Sequence, residues 1–414
     1  VRRKLARGVT AGAAAVVMAA AVQPVSASAG TSSNASAPGG RSNAEAISPA
    51  REDAGQRVEG TSASDAMTAP KGTTSATKAA RSAEARIGTG NGVYVGKVKI
   101  TTRLRNGRYE LTDPTRGGLT TVDFGNRDNR EESAGKRFTD RDNVWGNGTV
   151  SSRQSAAVDA YFAAGKTWDY YQNTFGRKGM RGNGQGPSTI VHYGKGRTEA
   201  EYDYGLWFGD GKDDKRPMTE LDIVAHEFTH GVVESTVGFA RTGDEFRGLN
   251  EATCDIFGTM VEFHANLAAD TPDYLIGEKV NSHGDGKPMR YMDRPSKDGK
   301  SPDYWKPGSG RLDSAHHAAG VANHFFYLLA EGSGKKVING VAYDSPTYDG
   351  SKVTGIGREK AAKIWYKALT TRFTSTTDYK NARAGTLKTT AALYGNAGPE
   401  YKAVQKAWTA VNVK

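Results

Sequence analysis

The chain has 414 residues, of which 24% are charged and 37% apolar, and a single cysteine, Cys254. That length permits a large core or two domains, while one cysteine excludes a disulfide within the chain and leaves packing and bound cations to stabilise any exported form. The formal charge of +11 comes from 11 Lys/Arg against 6 Asp/Glu in residues 1–87 and 45 against 39 in the rest. No basic block interleaves with aromatics, which argues against a nucleic-acid partner.

Residues 1–29 read as a signal peptide. Arg2, Arg3, Lys4 and Arg7 make a basic start, Val9 to Val22 is an apolar run, and Ala27-Ser28-Ala29 offers a small-residue cleavage site. The twin arginine fits the twin-arginine export route and the general route equally. Residues 30–87 contain no aromatic residue and are rich in Ala, Ser, Thr and Gly, so a disordered leader that is later removed is expected. No later stretch is apolar enough to cross a membrane, so release without stable membrane association is expected.

From Gly92 the texture changes. Val93-Tyr94-Val95, Val98 to Thr102, Tyr109-Glu110-Leu111 and Thr120 to Phe124 alternate as strands do, with Asn106-Gly107 as a hairpin turn. A helix is expected over Ser155 to Thr174, and strands at Thr189 to Tyr193 and near Trp207. Further helices are expected over 219–234, Asn250 to Leu267, Ala318 to Glu331, Arg358 to Thr371, Asp378 to Leu393 and Gly398 to Val411. The class is therefore α+β, with a β-rich part over 88–218 and a helical part over 235–414. The helix at 219–234 joins them. Pro217 precedes it, Thr219 can cap it, and Glu220 and Asp222 fill its first turn.

That joining helix carries His226-Glu227-Phe228-Thr229-His230. Histidines four apart stand one above the other on one helical face, so both imidazoles reach one metal ion. In this H-E-x-x-H arrangement the histidines bind zinc and the glutamate is the general base. Glu251, 21 positions after His230, is the candidate third ligand. Two histidines and a carboxylate leave the fourth position open for water, as catalytic zinc requires. Asp255 lies one turn after Glu251 and can accept the other ring N–H of a ligand histidine. Cys254 reads as a small buried filler.

His226-Glu227-Phe228-Thr229-His230 followed by Gly248-Leu249-Asn250-Glu251-Ala252-x-x-Asp255-Ile256-Phe257-Gly258-Thr259 resembles the thermolysin-like family of secreted zinc endopeptidases, over about residues 90–414. The resemblance implies a β-rich N-terminal and a helical C-terminal subdomain, a cleft across the zinc helix, and a monomer acting on protein and peptide substrates. It implies cleavage before bulky hydrophobic residues, with Ile223 and Met289 lining that pocket. It places zinc on His226, His230 and Glu251, the base on Glu227, the oxyanion-stabilising histidine on His316 rather than His317, and a substrate-binding arginine on Arg290. Structural Ca²⁺ falls on Asp222, Glu262, Asp273 and Glu278, with Leu275 standing where another acid is expected. Asp140 and Asp142 resemble a second calcium loop.

The chain also departs from the family pattern. The expected oxyanion tyrosine is missing from Phe239 to Glu245, where Arg241 or Thr242 takes its place. The substrate-holding Asn-Ala-aromatic strand reads Glu199-Ala200-Glu201-Tyr202, which keeps Ala200 but loses the asparagine. Asp313 is the nearest acid to orient His316, because Arg311 holds the usual place. Residues 30–87 are shorter than the family's folded propeptide. An exopeptidase and a non-catalytic binding protein are the rival readings.

Overall fold

A computed structural model describes residues 84–128, 134–238 and 244–414. The N-terminal part is built from strands β1 (Ala85–Asn91), β2 (Lys97–Arg105), β3 (Arg108–Glu110), β4 (Thr112–Asp113), β5 (Leu119–Asp123), β6 (Lys136–Arg137), β7 (Thr139–Asp140) and β8 (Val144–Trp145). Helix α1 (Arg153–Phe175) follows, then β9 (Ser188–Val191), β10 (Ala200–Asp203) and β11 (Gly205–Phe208). One sheet has the order β7-β3-β2-β1-β8; the other runs β10-β11-β9-β5-β4, with β6 also paired to β5. In the second sheet β5, β9 and β11 are parallel, and β10 closes one end antiparallel to β11.

The Asn106-Gly107 turn forms as expected. Both residues have positive φ, 51° and 71°, and Arg105 pairs with Arg108, so the loop has two residues. Val93-Tyr94-Val95, however, is no strand. The buried Asp159 carboxylate on α1 accepts all three of their backbone N–H groups at 2.8, 3.1 and 3.0 Å, which bends the chain between β1 and β2. Strand pairing begins at Ala85, so the expected leader overlaps the first sheet by three residues, 85–87.

The rest of the chain contains α2 (Leu221–Val237), α3 (Asp244–Ala265), β12 (Leu275–Ile276), β13 (Arg290–Tyr291), α4 (Ala315–Ala318) and α5 (Gly320–Glu331). After these come the hairpin β14 (Gly334–Ile338) and β15 (Val341–Ser345), then α6 (Arg358–Thr371), α7 (Tyr379–Tyr394) and α8 (Pro399–Ala410). The hairpin is absent from the sequence expectation, although Asn339-Gly340 carries the same two-residue turn signal as Asn106-Gly107, with φ of 49° and 91°. It is tied inward: Tyr343 Oη accepts the Tyr274 N–H at 2.9 Å, and Asn339 Nδ2 donates to the Pro272 carbonyl at 2.8 Å.

Helix α2 is buried along its whole first part, from Leu221 to Val233. Its core neighbours come from both halves of the chain. On one side Tyr171 of α1 stacks on Phe228 and hydrogen-bonds Thr229 at 2.9 Å. On another, α3 crosses so closely that a Cβ on Gly258 would lie 2.7 Å from the Asp222 carbonyl oxygen. Farther along α3, a Cβ on Gly248 would lie 2.8 Å from the Ala318 carbonyl. The expected Thr219 cap does not form. Glu220 is the N-cap, no side chain caps the helix, and the Thr219 hydroxyl is buried without a partner.

The α2–α3 approach requires glycine at 258. Gly258→Ala should destabilise the protein by about 1–3 kcal/mol, the usual cost of overpacking. Thermal unfolding checks this, and an unchanged melting temperature would show that the helices can separate without cost.

Candidate active site

The α2–α3 crossing brings the sequence-selected residues together. His226, Glu227 and His230 project from α2, and Glu251 from the facing turn of α3. His226 Nε2 lies 3.2 Å, and His230 Nε2 3.8 Å, from Glu251 Oε2. His316, on the one-turn helix α4, brings its Nε2 to 3.1 Å from the same oxygen. Glu227 is fully buried beside them.

Each imidazole is fixed from behind. His226 Nδ1 donates to Asp255 Oδ1 at 2.8 Å. Asp255 also receives two bonds from Arg290, of 2.8 and 2.6 Å, and one of 2.8 Å from Asn323 Nδ2. His230 Nδ1 faces Asn250 Oδ1 at 3.3 Å. Asn250 and Asn323 were not selected from the sequence. Asn250 directly precedes Glu251, and its place on that helical turn is the signal that could have found it. With both Nδ1 atoms engaged, the Nε2 lone pairs face the centre.

The centre holds polar atoms without partners. His226 Nε2, His230 Nε2, His316 Nε2 and both carboxylate oxygens of Glu227 and Glu251 are buried and make no hydrogen bond. Seven such atoms in one pocket would be costly for a folded protein. A divalent cation with nitrogen and oxygen ligands answers this donor set. His226, Glu251 and His316 form one group with metal-ligand spacing, and His226, His230 and Cys254 another. Cys254 is fully buried.

Electrostatics distinguish the roles. Burial pushes the Glu227 carboxyl well above its ordinary range, and the nearby Glu251 and Glu201 carboxylates raise it further. Burial lowers His230 to about 4. Burial also acts to lower His226, but its bond to Asp255 and the adjacent Glu251 carboxylate outweigh that and bring it to about 10. Asp255 is fully buried, yet the Arg290 charge and the His226 bond hold it ionised, below the ordinary carboxylate range.

Arg290 would read from sequence alone as a surface residue. It is buried, and its guanidinium clamps Asp255. Asp313 does not orient His316. It is exposed and pairs with His317 at 3.2 Å, whereas His316 Nδ1 lies 3.4 Å from Ser314 Oγ. The reason is local. Asp313 and His317 are four apart across a helical turn, and Ser314 is the N-cap, accepting the His316 N–H at 3.2 Å. Ala200 opens edge strand β10, and Tyr202 of that strand lies against Gly231 of α2. Arg241 and Thr242 lie outside the described residues.

A second acid cluster sits at the start of α2. Asp222, Glu262, Asp273 and Glu278 are mutually close, as their shared electrostatics require, and Glu220 and Asp270 join them. Sequence reasoning does not place those two in the site, although Glu220 lies two positions before Asp222. Burial raises Asp222 to about 7, and Asp270 and Asp273 to about 6. Both Glu262 oxygens, both Asp270 oxygens and Glu278 Oε2 are buried without a hydrogen bond. Glu220, Asp270 and Glu278 have metal-ligand spacing. Asp140 and Asp142 are different: Asp140 accepts the N–H groups of Asp142 and Asn143, and Asp142 that of Val144, which makes a self-capped turn.

The family described as thermolysin metallopeptidase, catalytic domain, matches residues 87–234, and the one described as thermolysin metallopeptidase, alpha-helical domain, matches residues 244–413. A transglutaminase-activating metalloprotease of Streptomyces mobaraensis is 50% identical over 329 residues, covering 79% of this chain and 42% of that protein. Bacillolysin of Bacillus cereus is 36% identical over 336 residues, covering 79% and 55%. A solved precursor of protealysin, a metalloproteinase from Serratia proteamaculans, superposes with a TM-score of 0.54 at 26% identity over 71% of this chain and 87% of that one. The chain spans about half the length of the curated relatives it matches. With both family halves matched in order and joined at the metal-site helix, the chain belongs to the thermolysin metallopeptidase family.

Proposed function

We propose that this protein is an exported, zinc-dependent endopeptidase. The observation that carries the reading is the buried convergence of His226 Nε2, His230 Nε2 and the Glu251 carboxylate, all without hydrogen bonds, beside the equally unpartnered Glu227. His226, His230 and Glu251 would hold the zinc. Bound there, zinc supplies Lewis acidity to the scissile carbonyl and lowers the pKa of attacking water.

The remaining steps belong to the chain. Glu227, raised by burial, has a proton affinity high enough to take a proton from the attacking water and return it to the leaving amine. His316, whose Nε2 lies 3.1 Å from Glu251 Oε2, would donate to the developing oxyanion. Asp255, Arg290 and Asn323 hold His226 in orientation. Arg290 is also the candidate to meet a substrate carbonyl, and β10, with Ala200, the candidate to hold substrate backbone. Bulky hydrophobic residues after the scissile bond are the proposed preference.

The acid cluster is proposed as a structural Ca²⁺ site that braces the first turn of α2, with Glu262, Asp270 and Glu278 supplying buried oxygens that make no hydrogen bond. The basic start and apolar run of residues 1–29 support export. Among the described residues no helix is long and apolar enough to cross a membrane. The likeness to a solved precursor supports synthesis as a zymogen.

Hydrolysis of an internally quenched, end-blocked peptide library tests the reading. Internal cleavage that a zinc chelator abolishes is expected, and Glu227→Gln should reduce kcat by about a hundred- to ten-thousandfold. Exclusive release of terminal residues, or full activity in Glu227→Gln, would sink the proposal. Asp255→Asn should weaken zinc binding by about 10- to 100-fold in chelator competition; unchanged affinity would show that the His226 bond is not needed.

The acid cluster gives a pH test. In the cation-free protein Asp222, Asp270 and Asp273 bind protons up to about pH 6–7, whereas unfolded aspartates release them near about pH 4. The folded state therefore carries extra protons across that interval. The contribution of these aspartates to stability should fall as pH rises from about 4 to about 7. Added Ca²⁺ should restore the melting temperature most at neutral pH. A chelator-treated protein with a flat profile, or one that Ca²⁺ does not rescue, would remove the site.

A further inference from the structure

Strand β10 pairs with β11 on one side and lies across α2 on its inner face. The contact falls at Gly231, the residue after His230. A Cβ there would lie 2.3 Å from Met180 Sδ and 3.0 Å from Tyr202 Cε2. The bare backbone at 231 thus lets two buried side chains, Met180 and Tyr202, close on α2 beside a proposed zinc ligand. The charge of Glu201, the residue before Tyr202, acts on Glu227, so this strand lies within electrostatic reach of the proposed base.

Tyr202 extends past Gly231 to the next turn of α2, where its hydroxyl donates to Glu234 Oε2. Arg181, itself exposed, braces that bond. Its Nη2 donates to the Tyr202 hydroxyl at 3.2 Å and stands 4.0 Å from Glu234 Oε2, and its Cζ lies 5.2 Å from the centre of the Tyr204 ring. The segment carrying Arg181 is tied to the same end of α2, for Arg177 Nη2 donates to Ser235 Oγ at 2.8 Å and to the Met180 carbonyl at 2.9 Å. Burial and the Glu234 carboxylate hold the Tyr202 hydroxyl well above the ordinary range of a phenol, so it remains a donor. Residues 177–181, α2 and β10 therefore meet at one phenol.

Resting on the endopeptidase reading, in which β10 holds substrate backbone, we propose that Glu234 and Arg181 are positioning residues that fix, through the Tyr202 hydroxyl, the distance between β10 and the histidine-bearing stretch of α2. A peptide extended along β10 gains backbone hydrogen bonds only where the strand also lets the scissile bond reach the metal centre. The clamp therefore serves the capture of extended substrates. A minimal peptide that offers little beyond its scissile bond draws nothing from it.

The test compares kcat and KM of the zinc-loaded protein for two end-blocked substrates, a peptide long enough to run the four residues of β10 and an acylated dipeptide amide with the same scissile bond. Glu234→Leu removes the acceptor. It should raise KM for the long peptide about five- to tenfold, the scale of one hydrogen bond, and leave its kcat and both constants of the short substrate in place. The Kd of the long peptide with its scissile amide reduced should weaken by the same factor, a readout free of turnover. Glu234→Gln, whose amide oxygen still accepts, should recover most of the loss. Tyr202→Phe should reproduce the long-peptide effect, and combining it with Glu234→Leu should add nothing, because both cut the same bond. Arg181→Gln, at an exposed position, should raise the long-peptide KM about twofold, and it decides the matter if Glu234→Leu fails to fold. An equal loss on both substrates, a loss in kcat alone, no recovery in Glu234→Gln, or a lower melting temperature with unchanged KM would assign the contact to stability and overturn this inference alone. Failure of the unaltered protein to cleave either substrate would overturn the endopeptidase reading and this inference with it.

Discussion

The candidate site depends on one buried carboxylate. Asp255 has no exposed surface, and it accepts from His226 on α2, Arg290 on β13 and Asn323 on α5 while standing on α3 itself. A lone buried carboxylate is among the least favourable groups a core can hold. This one is satisfied on every side, so its cost becomes a constraint. The four elements must meet at a fixed distance or leave a charge without partners. The orientation of the first histidine is thereby built into the packing of the C-terminal half.

The two anionic centres on α2 follow a common logic with different outcomes. Around Glu251 and Asp255, the cationic and polar side chains of Arg290, His226 and Asn323 offset the burial of acids. Around Asp222 and Glu262, acids neighbour acids, with Lys279 at the margin, 3.5 Å from Asp270. The first arrangement is largely complete in its own side chains apart from the central atoms. The second lacks positive charge over a wider volume. One helix therefore carries the candidate metal centre and, at its first turn, a cluster of buried acids with little positive charge beside it.

Much of this was legible in the sequence because it is written in short-range patterns. The two histidines need only helical periodicity, and Asp255 only its spacing from Glu251. The joining helix, α6 and the Asn106-Gly107 turn follow from local signals. What could not be read locally depends on distant partners. Asp159 captures the backbone of 93–95 from another element, against a good strand pattern. Arg290 looks like a surface residue until its partner, 35 positions earlier, is known. Asp313 is near His316 in sequence but pairs one residue further on. The β14–β15 hairpin is a different matter: its Asn-Gly signal was present, and helical neighbours on both sides obscured it.

The same hairpin has a role its exposed position conceals. Through Tyr343 and Asn339 it grips Tyr274 and Pro272, which flank Asp273 in the acid cluster. A surface ribbon is thus a strut for the loop that presents these carboxylates, and the rigidity of that loop is set from outside the helical core. Sequence drift in β14 and β15 would be transmitted to the spacing of these carboxylates, and so to the Ca²⁺ site proposed there. Under that proposal, heat tolerance is tuned at the periphery of the protein, away from the His226–Glu251 centre.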